Sequence, residues 1–192
     1  MATGSSGSGR KSKARRPLPE VSVLRIGHRP GRDPRLTTHL ALAARALGAE
    51  RLYLHPPDEA IRGRLEKVVR DWGGAFEVVP TYDWKAVIRA HPGPVVHLTM
   101  YGLALEPLLP KLRRARHILL VVGGAKVPPD LYTLATYNLA IGHQPHSEVA
   151  ALAVTLDRLR GLPGPSPLRG ARRRVVPTAR GKRVRQSPEE PK

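Results

Sequence analysis

The sequence predicts an α/β protein built on a mostly parallel six-stranded sheet flanked by helices. Two observations carry this. Short runs rich in Val, Ile and Leu alternate with segments of helical period, the pattern of strand-helix units packed on both faces of a parallel sheet. A chain of 192 residues with 41% apolar content is also large enough to bury one core of ordinary domain size.

The strand-like runs, in order, are Val21 to Ile26, Leu52 to Leu54, Phe76 to Val79, Val95 to Met100, Ile118 to Val122 and Asn138 to Ile141. The first helix is marked by Asp33 as N-cap and Pro34 at the first helical position. It carries an apolar stripe of Leu36, Leu40, Ala43, Ala44 and Leu47 and stops at Gly48. Further helical segments are expected over Asp58 to Trp72, Asp83 to Ala90, Leu103 to Arg113 and His146 to Leu159. In open parallel sheets the ligand crevice lies beyond the carboxyl ends of the strands. Three segments leave strands at that end and are expected to converge: Met100 to Gly102, Gly123 to Pro128 and Gly142 to Glu148.

The formal charge is +18, with a pI near 11.3. Clustered Lys and Arg gain affinity for a polyanion by releasing its counterions, so nucleic acid is the leading partner class. Residues 1–20 carry five basic side chains against one acid and residues 163–192 nine against two, which leaves +7 on residues 21–162. Both ends are rich in Gly, Ser, Pro and Arg and poor in apolar residues, so both are expected to be disordered basic tails around one domain at 21–162. With no cysteine, disulfides, thiolate metal sites and thiol nucleophiles are excluded. No apolar run approaches the roughly 20 residues that cross a bilayer and no secretory segment opens the chain, which leads us to expect a cytoplasmic protein with no membrane association.

Gly123-Gly-Ala-Lys126 lacks the Gly-Lys-Ser/Thr of a phosphate loop, and Gly27-His-Arg-Pro-Gly31 has the wrong spacing for a dinucleotide turn. Taken alone, the paired glycines are equally well explained by a tight turn. His143 and His146 are three apart but have no third ligand nearby, so no metal is expected; they read as cap or pocket residues. The segment Tyr137-Asn-Leu-Ala-Ile-Gly142-His-Gln-Pro-His-Ser-Glu148 is a strand that stops at glycine and enters a helix after Pro145. It presents free backbone N–H groups to a polar or anionic ligand. The loop from Gly27 to His39 concentrates Arg29, Arg32, Arg35, His28 and His39. Its arginine forks suit phosphate, although an ordinary basic surface loop is the competing reading. Lys111-Leu-Arg-Arg-Ala-Arg116 serves equally as a phosphate contact or a solvated face. Aromatics make up only 4% of the chain, which argues against a base-stacking module and for recognition of RNA by charge and shape.

With Val95-Val-His-Leu-Thr-Met-Tyr-Gly102 and Leu120-Val-Val-Gly-Gly-Ala-Lys-Val-Pro128, the Tyr137 to Glu148 segment resembles the archaeal transfer-RNA cytidine-56 2′-O-methyltransferases of the knotted SPOUT superfamily, over about residues 21–160. The resemblance implies a C-terminal trefoil knot, a homodimer, tRNA as partner and S-adenosylmethionine as methyl donor. It places the donor against Leu98, Gly123, Gly124, Ala125, Lys126 and Val127, and against Ile141, Gly142, His143, Gln144, Pro145, His146, Ser147 and Glu148. It also implies an arginine of the first loop, Arg29, Arg32 or Arg35, that activates the ribose hydroxyl, with His39 as a candidate proton acceptor. Two other readings stay open: the same chemistry on another tRNA nucleotide or ribosomal RNA, and a non-catalytic RNA-binding protein.

Overall fold

The computed structural model describes residues 17–124, 126–164 and 168–186. Six parallel strands form one sheet: β1 (Glu20–Arg25), β2 (Arg51–Leu54), β3 (Glu77–Pro80), β4 (Val95–Ala104), β5 (His117–Val122) and β6 (Tyr137–Ala140). Their spatial order is β3-β2-β1-β5-β4-β6, so the later half of the chain places β4 between β5 and β6. The expected sheet is present.

Helices cover both faces. On one, α1 (Pro34–Ala46), α2 (Glu59–Trp72), α4 (Leu109–Leu112) and α6 (Glu148–Arg160) bury Leu40, Ile61, Leu112 and Leu152 against Val21, Val23 and Leu120 of the sheet. On the other, α3 (Trp84–Ala90) and α5 (Asp130–Leu134) pack Ile88 and Leu131 on Leu24, Leu119 and Val121. Successive strand residues point to opposite faces, so the odd positions of β1 serve the first layer and the even positions the second. Asp58 caps α2 by accepting from the Ile61 N–H at 3.1 Å, and Asp83 caps α3 through the N–H groups of Lys85 and Ala86. Asp33 holds the N-cap position of α1 as expected, but its carboxylate accepts from the Arg29 guanidinium at 2.7 and 3.0 Å and makes no cap bond.

Three expectations need correction. The helix expected over Leu103 to Arg113 is a single turn, because β4 runs on to Ala104 with an irregularity between Leu98 and Leu103. Gly102 permits this extension: a Cβ there would run into the backbone of Asn138 and Leu139 on β6. The helix α5, at five residues, is too short to show a period and has no counterpart among the elements expected from the sequence. Finally, residues 168–186, expected to be disordered, include a two-stranded antiparallel hairpin of β7 (Arg173–Val175) and β8 (Val184–Gln186). It is held to the end of α2: the Gly74 N–H donates to the Arg169 carbonyl at 2.9 Å, and Arg173 lies 3.9 Å from Asp71. Composition missed this because the anchor is backbone pairing and charge rather than apolar burial. The expected N-terminal tail falls outside the described residues up to residue 16.

Candidate functional site

The carboxyl ends of β4, β5 and β6 and the start of α6 enclose a cleft of about 880 Å³. This is within the usual size of small-molecule sites. Parallel pairing brings these ends together: Leu98 lies opposite Val122 on β5 and Leu139 on β6. The three loops that leave them therefore share one rim, as expected from the sequence.

Of the donor-site residues expected from the sequence, Leu98, Gly123, Gly124, Lys126, Val127, Ile141, Pro145, His146, Ser147 and Glu148 line the cleft. Gly142, His143 and Gln144 stand outside its lining, and Ala125 falls outside the described residues. The reason is visible at Gly142, whose φ of +125° turns the chain outward. His143 then folds back, its Nε2 at 3.1 Å from the Gly102 carbonyl, a bond that ties the β6 loop to β4. His146 donates through Nδ1 to the Ser147 carbonyl at 3.2 Å. Ser147 is the N-cap of α6, accepting from the Val149 N–H at 3.2 Å. The expected helix start at His146 therefore shifts to Glu148, and the free N–H groups of that first turn open beside the cleft.

Sequence reasoning missed several lining residues. His97 and Thr99 come from β4, Tyr132 from the unforeseen α5, and Leu36 from α1, whereas Met100 and Tyr101 belong to the strand-end segment expected at this rim. His97 had a signal, a polar residue inside the apolar run Val95-Val96-His97-Leu98. It is 1% exposed, its Nδ1 is 2.9 Å from the Asn138 side-chain oxygen, and its ring meets that of Tyr132 edge-on at 4.9 Å. Burial holds its pKa below the ordinary value, with the Asn138 bond opposing that shift, so the ring is neutral near pH 7.

None of Arg29, Arg32, Arg35 or His39 lines the cleft. All four stand on the connection between β1 and α1 or the first turns of α1, and Leu36 is the residue of that helix that reaches the cleft wall. Arg29 is committed to Asp33, whose carboxyl this bond holds below its ordinary pKa. Among the described residues no ion pair forms on Arg32 or Arg35. His28, grouped with them by sequence, is instead buried, with Nδ1 2.9 Å from Thr37 Oγ1 and Nε2 3.0 Å from the Asp58 carboxylate. It ties the loop to α1 and α2.

The structure also reveals an arginine that sequence reasoning passed over. Arg25 ends β1 on the face of Val21 and Val23, is 1% exposed, and has Nη1 3.5 Å from Oε1 of Glu148. No group of three or more potential metal ligands exists among the described residues.

The chain as a whole is similar to known proteins. The profile of a family described as tRNA ribose 2′-O-methyltransferase, aTrm56, matches residues 72–185. That span includes the C-terminal hairpin except its last residue, Gln186. The tRNA (cytidine(56)-2′-O)-methyltransferase of Archaeoglobus fulgidus is 48% identical over 86% of this chain and 98% of its own length. That of Cenarchaeum symbiosum is 50% identical over 85% of this chain and 95% of its own. Among solved structures, the SpoU methyltransferase AviRb of Streptomyces viridochromogenes, in complex with the cofactor AdoMet, superposes with a TM-score of 0.54 at 18% identity, covering 76% of this chain and 58% of that one. The A. aeolicus TrmH/SpoU tRNA modifying enzyme gives 0.54 at 12% identity, covering 74% and 75%. At these identities the two structures share the fold.

Proposed function

The chain belongs to the tRNA (cytidine(56)-2′-O)-methyltransferase family, and on that premise we propose that the cleft at the ends of β4, β5 and β6 is the methyl-donor site. The observation that carries this is the convergence of three strand-end loops with the N-terminus of α6 on one cavity. Its chemistry fits S-adenosylmethionine. Leu98, Val127, Leu139 and Ile141 offer apolar walls to a flat base. Gly123 and Gly124 bring backbone without side chains to the cleft wall, and Glu148 brings a carboxylate toward a cationic ligand. When bound, the donor supplies a methyl group on a sulfonium, which carries its own leaving group and needs no metal.

The protein's part is to align the ribose oxygen behind that methyl and to stabilise the charge that develops on it. We assign this to the loop between β1 and α1. Arg32 and Arg35 are open to RNA phosphate or the developing alkoxide, Arg29 is oriented by Asp33, and His39 on α1 is the candidate proton acceptor. The trefoil knot, the homodimer and the cytoplasmic setting are proposed on the resemblance to the SPOUT superfamily. No helix among the described residues is long and apolar enough to cross a membrane.

The hairpin extends this reading. Residues 168–186 hold eight Lys or Arg and no acid. It sits at the end of α2, where β3 is about to begin, and therefore at the opposite end of the sheet from the cleft. We propose that it touches RNA phosphates remote from the reaction. Replacing Arg172, Arg174, Arg183 and Arg185 by Gln should flatten the salt dependence of RNA affinity, by a slope of about 0.7–0.9 for each phosphate no longer neutralised, and leave kcat in place.

Mass spectrometry of an unmodified tRNA transcript incubated with protein and donor tests the whole. Ribose methylation at cytidine 56 is the expected product. Methylation at another nucleotide would move the target, and none under conditions of donor binding would refute the catalytic reading. Single Arg29→Ala, Arg32→Ala and Arg35→Ala variants that all keep full turnover would remove the loop from the mechanism.

A further inference from the structure

The side chain that the proposed mechanism leaves unexplained is Arg25. The alternation of β1 puts Val21, Val23 and residue 25 on one face, inside the layer formed with α1 and α6, and an apolar residue is expected there. A guanidinium stands instead, 1% exposed, and neither Nε nor Nη1 makes a hydrogen bond among the described residues. Burying unsatisfied donors of a charged group is costly, and an apolar side chain of similar volume would avoid the cost. Stability therefore does not account for an arginine at this position.

What Arg25 faces is specific. Its Nη1 is 3.5 Å from Oε1 of Glu148, an ion pair outside hydrogen-bond geometry, and Glu148 opens α6 and lines the donor cleft. The same carboxylate faces Gly124 across the cleft and is close enough to the β1–α1 loop to act on the charge of Arg29. Glu148 thus stands on the seam between the donor cleft and the arginine loop, where a ribose must sit to reach the methyl group.

We propose that Arg25 and Glu148 are the positioning pair of the transfer site. Arg25, acting from inside the core, fixes the Glu148 carboxylate, whose outward oxygen accepts the hydrogen bond of the incoming ribose 2′-hydroxyl and so aims its lone pair at the methyl carbon. As the O–C bond forms, the C–S pair stays on sulfur and the hydroxyl proton leaves along the carboxylate to solvent, a route that takes the place of His39 as first acceptor, so atoms and charge balance without a co-reactant. Arg25 is a positioning residue because it acts only through Glu148. This inference rests on the methyltransferase reading and adds to it an anionic group placed by a buried cation.

Arg25→Met, Arg25→Lys and Glu148→Gln, together with the Arg25→Met/Glu148→Gln double variant, separate this from a structural role. Thermal midpoint, donor affinity by calorimetry and single-turnover methylation of tRNA transcript are read for each. Arg25→Met should melt at or above the wild-type temperature, bind donor within about three-fold of wild type and lose about ten- to a hundred-fold in turnover, the scale of a roughly 1 Å misplacement. Arg25→Lys should recover part of that loss, Glu148→Gln should lose turnover in the same direction, and the double variant should be no slower than the slower single one. Turnover within two-fold of wild type in Arg25→Met, or multiplied losses in the double variant, would overturn the proposal. Should Arg25→Met fail to fold, Arg25→Lys and Glu148→Gln decide it, full turnover in both being the refuting result. A wild-type protein that methylates no RNA instead refutes the methyltransferase reading, and the pair falls with it.

Discussion

Replacing Gly102 by Ala tests whether the seam between β4 and β6 builds the cleft. The added Cβ would meet the backbone carbonyl carbon and oxygen of Asn138 and the nitrogen of Leu139, none of which can swing aside as a side chain can. The two strands must part, and overpacking of this kind costs about 1–3 kcal/mol. In a domain of this size each kcal/mol lowers the melting midpoint by roughly 2–4 °C, so a fall of about 2–12 °C is expected. The same shift displaces Thr99 to Tyr101 from Leu139 and Ile141 across the cleft and loosens the His143 bond to the Gly102 carbonyl. If it removes about 1.4 kcal/mol of donor binding, affinity falls ten-fold. Gly124→Ala is the control, since a Cβ there meets only Oε1 of Glu148 at 3.9 Å, an ordinary contact, and its midpoint should stay near wild type. Calorimetric melting of both variants, and donor titration of Gly102→Ala against wild type, make the comparison. A Gly102→Ala protein that melts within about 1 °C of wild type and binds donor equally would show that the seam yields and that the reasoning is wrong.

Gly63 lies inside α2 with no atom near its missing Cβ, so Gly63→Ala should raise stability by roughly 0.5–1 kcal/mol in chemical denaturation. Asp58→Ala removes the α2 cap and leaves the buried His28 ring without its carboxylate, an expected loss of about 2–4 kcal/mol. Because the His28 bond holds the Asp58 carboxyl below its ordinary value of 3.8, its contribution is present above that pH and is lost on acidification; the variant should lack that part of the acid limb. Burial depresses His97 below 6.5, so the unfolded chain protonates first and stability falls as pH drops through 6.5 toward the folded value. Stability measured from pH 8 to 5 should decline less in His97→Gln, with the remainder from His91, which burial also depresses.

The strands and the long helices were legible because each carries its own signal. Pro34 after Asp33, the stripe through Leu40 and Ala44, and the apolar runs of β4 and β5 are local patterns. The cleft was legible for a related reason: in a parallel sheet the strand ends fall on one side, and Gly123, Gly124, Val127 and Ser147 follow those ends in the chain, while Leu98, inside β4, was expected from the family resemblance alone. His97, Tyr132 and Leu36 were not legible as wall residues, since their place depends on which strands are neighbours and on a helix too short to show a period. The hairpin was hidden because its attachment is a backbone bond to Gly74 and charge on Asp71, which composition does not register.

By itself, then, the amino-acid order determined an α/β sheet, a basic surface suited to RNA, and a strand-end region that receives a ligand, because periodicity, charge and caps act over a few residues. The tertiary structure alone decided that β4 lies between β5 and β6, that His28 is buried among Thr37 and Asp58, and that Arg25 meets Glu148 from the far end of the chain. Those pairings depend on the order of strands in the sheet and on the packing of helices over it, and neither has a signature within any single segment.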